Sequence, residues 1–188
     1  MGAVSMSTLN SILILLTVFL AAFGEAAFGG IRYLLGAQID LLPALVVYAS
    51  LSAGLPTLTL TAMLGGLFFD ALSANPLGVS VLPLFVPGFL IYSQRELILR
   101  DQLFAQFILG LSASAVAPLL TILLLLTGGH TPTLGWFSIW QWVVMSVGGG
   151  VMTPLLFHLF GFFDRTFNYR RTTETSFRPD REIRRGRK

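Results

Sequence analysis

The sequence predicts an all-α integral membrane protein, a bundle of six transmembrane helices followed by a basic tail. Three observations predict it. Of the 188 residues, 54% are hydrophobic and only 11% are charged, with a mean hydropathy of +0.78. A soluble domain carries about 25% charged residues and could not cover its surface with so few. The apolar residues fall in runs close to the about 20 residues that a helix needs to cross a bilayer. Charge is also segregated: residues 1–163 hold three basic and five acidic residues, whereas residues 164–188 hold nine basic and four acidic. The same composition excludes disorder, which requires a chain poor in apolar residues. A polybasic stretch directly after an apolar segment reads as a cytoplasmic stop and a contact for anionic lipid, not as a nucleic-acid surface.

The spans follow in order. The first is Leu9 to Phe28, interrupted only by Glu25 and preceded by no Lys or Arg, so it is a poor signal peptide. The second lies around Gln38 to Gly54. The third runs from Thr57 to Ser73 after Pro56, and Asn75-Pro76 marks a turn. The fourth runs from Leu77 to Tyr92, and a charged connection through Arg95, Glu96, Arg100 and Asp101 follows. The fifth is Leu103 to Thr127, closed by Gly128-Gly129, and the sixth is Trp136 to Phe163. Asp40 to Leu72 is short for two full crossings, which need about 40 residues. The second helix therefore starts near Tyr33, or the bilayer thins, or one segment is broken or re-entrant within the bundle. Six crossings are expected, with five plus a re-entrant segment as the alternative. The domains are residues 1–163 for the bundle and 164–188 for the tail.

Six spans put both termini and the Arg95/Arg100 connection on one side, with only Arg32 opposite. The positive-inside rule makes that side cytoplasmic. Trp136, Trp140 and Trp142 at the start of the last span suit an interfacial anchor.

Small residues recur four apart, on one helix face: Ala22 and Ala26, Ala62 and Gly66, Gly110 and Ser114, Ser146 and Gly150. Such faces pack within the bundle or form a groove for a partner helix. Pro43, Pro83, Pro87, Pro118 and Pro154 interrupt the spans and tend to kink them, as does the Gly148-Gly149-Gly150 run.

Glu25, Asp40 and Asp70 stand near the non-cytoplasmic ends of their spans, where an ionised carboxylate costs less than the about 2.5–3.5 kcal/mol it costs at the bilayer centre. Glu25 either is interfacial or pairs with Arg32, and Asp40 suits an N-cap. Catalytic and metal-binding patterns are missing. There is no cysteine, no Gly-x-Ser-x-Gly, no His-Glu-x-x-His and no phosphate cradle. His130 and His158 lack a spaced partner. The expectation is a non-catalytic protein without a cofactor or metal.

The stretch Gly65-Gly66-Leu67-Phe68-Phe69-Asp70-Ala71-Leu72-Ser73-Ala74-Asn75-Pro76-Leu77-Gly78 resembles the central signature of the bacterial rod shape-determining MreD family. There a glycine-containing helix ends in Asp, and Leu-Gly opens the next helix. The run Asp40-Leu41-Leu42-Pro43 with the aliphatic residues after it is similar to the family's second helix. The resemblance covers about residues 40–100; the basic tail is longer than many family members carry. It implies a fold similar to the substrate-binding subunits of energy-coupling-factor transporters. It also implies a scaffold in the cell-wall elongation complex, binding MreC and linking MreB to RodA and its transpeptidase partner. The residues it marks for structure or partner contact are Asp40, Pro43, Gly65, Gly66, Asp70, Leu77 and Gly78. Ala62, Gly110, Ser114, Ser146 and Gly150 are the helix-packing candidates. Arg165, Arg170, Arg171, Arg184, Arg185, Arg187 and Lys188 are the candidates for anionic lipid. The runner-up is a vitamin-binding subunit of such a transporter, which would need convergent polar groups.

The motif also stands without the resemblance. Asp70 near a helix C-terminus opposes the helix dipole, so something must compensate. The turn at Ser73–Pro76 offers free backbone donors, from which Asp70 could accept unless it caps the fourth helix, and a locked hairpin is the leading expectation, ahead of a partner or ligand contact.

Overall fold

The computed structural model describes residues 6–27, 36–73, 75–98, 102–129 and 135–168. Among them the regular structure is helical throughout: α1 (Met6–Ala27), α2 (Leu42–Ser52), α3 (Leu55–Leu72), α4 (Val81–Ser93), α5 (Leu103–Thr127) and α6 (Trp136–Asn168). The chain divides into two compact units, Met1–Phe157 and His158–Lys188. In the second unit the described residues are the end of α6, with the rings of Phe162 and Phe163 edge to face at 6.3 Å. The tail residues Arg170, Arg171, Arg184, Arg185, Arg187 and Lys188 lie outside the described residues, as do Arg32 and His130.

Four of these helices, α1, α3, α5 and α6, are long and apolar enough to cross a membrane. The two others are shorter than the sequence suggests. α2 has 11 residues and α4 has 13, or about 17 Å and 20 Å at about 1.5 Å per residue, against a hydrocarbon slab of about 30 Å. The cause is local. Pro43 in the first turn supplies no backbone donor to extend α2 backwards. Gly78, expected to open the fourth helix, has φ +89°, which a right-handed helix does not accept. Leu77 and Gly78 therefore belong to the turn, and α4 starts at Val81.

α2 forms the centre of the bundle. Every residue from Leu42 to Leu51 is buried. Its sequence, LPALVVYASLS, has no polar stripe, and a helix that is apolar all round belongs inside a core. α2 packs against α1, α3, α4 and α5, and the Tyr48 ring meets Phe157 of α6 edge to face at 4.9 Å. Val47 and Leu51 share one cluster with Ile91 of α4 and Ala113 of α5. The long helices instead expose apolar side chains outward: Leu16, Phe19 and Phe23 on α1, Leu119 and Leu123 on α5, Val143 and Val147 on α6. A soluble monomer rarely exposes apolar patches of that extent; lipid is their natural solvent.

α5 and α6 cross with almost no space between backbones. A Cβ on Gly110 would lie 2.6 Å from the Gly149 carbonyl and would strike the Thr153 side chain; one on Gly149 would strike Ser114 Oγ. The Ser114 hydroxyl is buried with no hydrogen-bond partner among the described residues, and its contact is the Gly149 backbone, as in the weak Cα–H···O bonds of close helix crossings. Pro118 deprives the Ser114 carbonyl of its helical donor, and in the same turn the Trp142 indole N–H donates to the Ala115 carbonyl at 2.9 Å. Trp142 thus ties α6 to the proline turn of α5, while Trp136 and Trp140 stay exposed.

Gly110→Ala is expected to lower the thermal midpoint of the detergent-solubilised protein, because one methyl must push two backbones apart at a cost of about 1–3 kcal/mol. Gly24→Ala on α1, where a Cβ meets nothing within 4 Å, is expected to leave the midpoint unchanged or raise it. Thermal unfolding of the two variants side by side checks the contrast.

Candidate functional site

The residues that carry the sequence motif meet in one hairpin, α3–turn–α4. Gly66 makes it possible: its missing Cβ would lie 2.7 Å from the backbone of Val81, so the end of α3 and the start of α4 touch backbone to backbone. Gly65, on the adjacent face, sits against Leu42 and Val18. Ala62, one turn earlier, is fully buried. Asp70 is only 2% exposed, and three donors approach its carboxylate. Oδ2 accepts from the Gly78 N–H at 2.8 Å and from the Ser80 N–H at 3.0 Å. Oδ1 accepts from the Ser80 hydroxyl at 2.5 Å.

The geometry resolves the dipole conflict posed by the sequence. Asp70 opposes the C-terminus of its own helix but faces the N-terminus of α4, where a negative charge is favourable. Ser80, in the cap position of α4, makes no side-chain cap to its own helix and gives its hydroxyl to Asp70 instead. Such a buried, fully engaged carboxylate is a structural lock: its oxygens are committed to the hairpin and no solute reaches them. Leu77 at the tip is 71% exposed.

A second carboxylate group holds the start of α2. The Leu41 N–H donates to Glu25 Oε1 at 2.6 Å, and the Leu42 N–H donates to Asp40 Oδ1 at 2.8 Å. Asp40 thus acts at the helix start, as its residue type suggests, although one position before the cap. With Pro43 lacking an N–H, the first three donors that α2 would leave bare reduce to one. Glu25 Oε2 is buried and unpartnered among the described residues, so Glu25 serves the backbone of the next helix. The contact spans 16 residues of sequence, and its only local hint was the charge itself.

The packing candidates are placed inside the bundle. Gly110 and Ser114 face Gly149 and Thr153, while Gly150 faces Phe107 and Leu111. Ser146 is buried and donates to the Trp142 carbonyl at 2.7 Å. Ala22 is buried and Ala26 exposed. The small-residue faces are thus largely used between this chain's own helices. Arg165 falls in α6. Among the described residues no group of three or more His, Cys, Asp or Glu is placed to hold a metal ion.

Sequence reasoning missed a cleft of about 800 Å³ at the bundle end where α1 and α3 begin, lined by Asn10, Ser11, Ser52, Thr57, Arg95 and Glu96 among others. The Ser11 and Thr57 hydroxyls hydrogen-bond at 2.8 Å on its wall. The Arg95 guanidinium lies 4.4 Å from the centre of the Tyr92 ring and reaches the Ala53 carbonyl at 3.4 Å. Its parts come from four segments, and only Arg95 and Glu96 stood out as charges.

Asp70→Ala is expected to destabilise the fold by about 2–4 kcal/mol, since it strands the buried Ser80 N–H and hydroxyl and the half-buried Gly78 N–H. Asp70→Asn, whose amide oxygen still accepts from the two N–H groups and whose NH2 can donate to Ser80 Oγ, is expected to lose less than half of that. Equal losses in denaturant or thermal unfolding would mean that the charge, not the bond pattern, is what the site requires.

No family model, no curated protein and no solved structure matches this chain.

Proposed function

We propose that this chain is a non-catalytic membrane scaffold of the bacterial cell-wall elongation machinery, in the manner of the MreD family that residues 40–100 resemble. In this reading six crossings of the cytoplasmic membrane place both termini in the cytosol. The bundle binds the transmembrane helix of an MreC-type partner and through it joins MreB, RodA and the RodA transpeptidase partner, so that peptidoglycan synthesis keeps the rod shape. The observation that supports it is the α3–α4 hairpin. The residues that carry the resemblance, Gly66, Asp70 and Gly78, are used to fix two helices rigidly against each other, as a holding function requires. The vitamin-binding alternative needs polar side chains that converge on a ligand, whereas Asp70, Asp40 and one oxygen of Glu25 are engaged by backbone.

The short helices α2 and α4 complete a crossing only together with the non-helical backbone before them. Such backbone is tolerated at membrane depth where it is buried and its donors are met, as they are by Glu25, Asp40 and Asp70. The partner helix is assigned to the outward apolar faces, because the small-residue faces are occupied within the bundle.

A photocrosslinking residue at Phe23 or Val147, both exposed, is expected to trap a co-expressed MreC-type partner through its membrane helix. A partner that neither co-purifies nor crosslinks at any outward face would overturn the scaffold reading. Topology is testable separately, because the chain has no cysteine. A single cysteine replacing Gly135 is expected to react with an impermeant maleimide on intact cells, and one replacing Gly2 or Lys188 only after lysis. The reverse pattern would overturn the orientation.

A further inference from the structure

We propose that the cleft at the α1/α3 end binds an amine-bearing phosphodiester, the chemistry of a phosphoethanolamine headgroup. The cleft has a volume of about 800 Å³, ample for such a group. It carries one cation and one anion on adjacent residues, Arg95 and Glu96, and among the described residues Glu96 makes no ion pair or hydrogen bond. Arg95 is held from two sides, by the Tyr92 ring and the Ala53 carbonyl. Among the described residues only one of its side-chain N–H groups is engaged, at a long distance, and the rest of the fork is open to a phosphate. Glu96, without a donor partner among the described residues, would accept from a primary ammonium.

The rest of the wall suits the same ligand. Asn10, Ser52 and the Ser11–Thr57 hydroxyl pair supply neutral donors and acceptors. α3, which begins at this wall, has Gly54 as its cap residue and no side-chain cap, so its first N–H groups add a weak positive field at the cleft. A lone anion would be repelled by Glu96, and a lone cation by Arg95 and the helix end. A ligand with both charges a few ångströms apart satisfies the pair. The site also stands at the end of a bundle whose long helices expose apolar faces, where a headgroup lies. The inference is independent of the scaffold reading and survives its failure.

Two sources offer this chemistry, phosphatidylethanolamine and a soluble diester such as glycerophosphoethanolamine. Native mass spectrometry of the full chain in detergent is titrated with phosphatidylethanolamine, phosphatidylcholine and phosphatidylglycerol, and in a second arm with glycerophosphoethanolamine. The expected result is retention of phosphatidylethanolamine about tenfold more tightly than the other two lipids. Loss of binding in Arg95→Gln and loss of the preference over phosphatidylglycerol in Glu96→Gln are also expected. Both positions are exposed, so unfolding is not expected, and a thermal scan of each variant confirms the fold. Saturable, Arg95-dependent binding of glycerophosphoethanolamine without the lipid preference supports the chemistry and assigns it to a soluble ligand. Equal retention of all three lipids with no binding of the soluble diester, or retention unaffected by Arg95→Gln, overturns the proposal.

Discussion

The fold depends on how the backbone donors at the starts of α2 and α4 are satisfied. The N–H groups at their starts are wholly or partly buried, where a bare N–H costs up to several kcal/mol. Asp70 meets two such donors before α4 and Glu25 with Asp40 meets two before α2. Without these carboxylates the non-helical turns could not be buried. Without buried turns, α2 could not stand at the centre of the bundle with every residue from Leu42 to Leu51 covered.

The two arrangements follow one rule. A long helix carries a carboxyl group on its third-last residue, Glu25 in α1 and Asp70 in α3, and that group captures the N-terminal backbone of the shorter helix after it. α1 then packs on α3 and α2 on α4, so the two helix pairs lie side by side in the same order. The sequences differ too much for an internal repeat to be seen by eye. The recurrence is in the physics: a carboxyl group near the end of one helix accepts hydrogen bonds from the backbone that opens another. The second pair is the tighter, because Gly66 brings α3 onto the Val81 backbone and Ser80 adds a hydroxyl bond.

These relations explain what could be read in advance. The limits of α5 and the start of α6 match the apolar runs, because a lipid-facing helix is defined by its own composition. That Asp70 accepts within its own hairpin was legible because donor and acceptor lie eight to ten residues apart, but the donors are Gly78 and Ser80 just before α4 and not the Ser73–Pro76 turn. The central position of α2 was not: its uniformly apolar sequence looks the same as a lipid-exposed span, and only its neighbours distinguish the two. Nor was the Glu25–Leu41 contact, in which charge pairing with Arg32 was the competing local expectation and Arg32 lies outside the described residues. The cleft was hidden for the same reason, its wall being assembled from α1, the end of α2, the turn into α3 with its first residues, and the segment after α4.

The crossing of α5 and α6 bears on how a partner could bind. In lipid, helices associate through close packing because apolar burial provides little drive. The most closely approachable surfaces, at Gly110, Ser114, Gly149 and Thr153, already face each other. A partner helix of the proposed kind would therefore have to use surfaces on which large side chains project, such as Phe19 and Phe23 on α1, whose rings stack at 6.4 Å. Phe19 also meets Phe68 of α3 edge to face at 5.5 Å, which braces this ridge against the hairpin helix. An aromatic ridge fixed in this way would interlock with small residues on an incoming helix, the reverse of a groove that receives a large one. A mating helix would then carry the glycine or alanine face itself, and bulky replacements on that face would weaken the contact more than replacements of Gly or Ala in this chain's exposed positions.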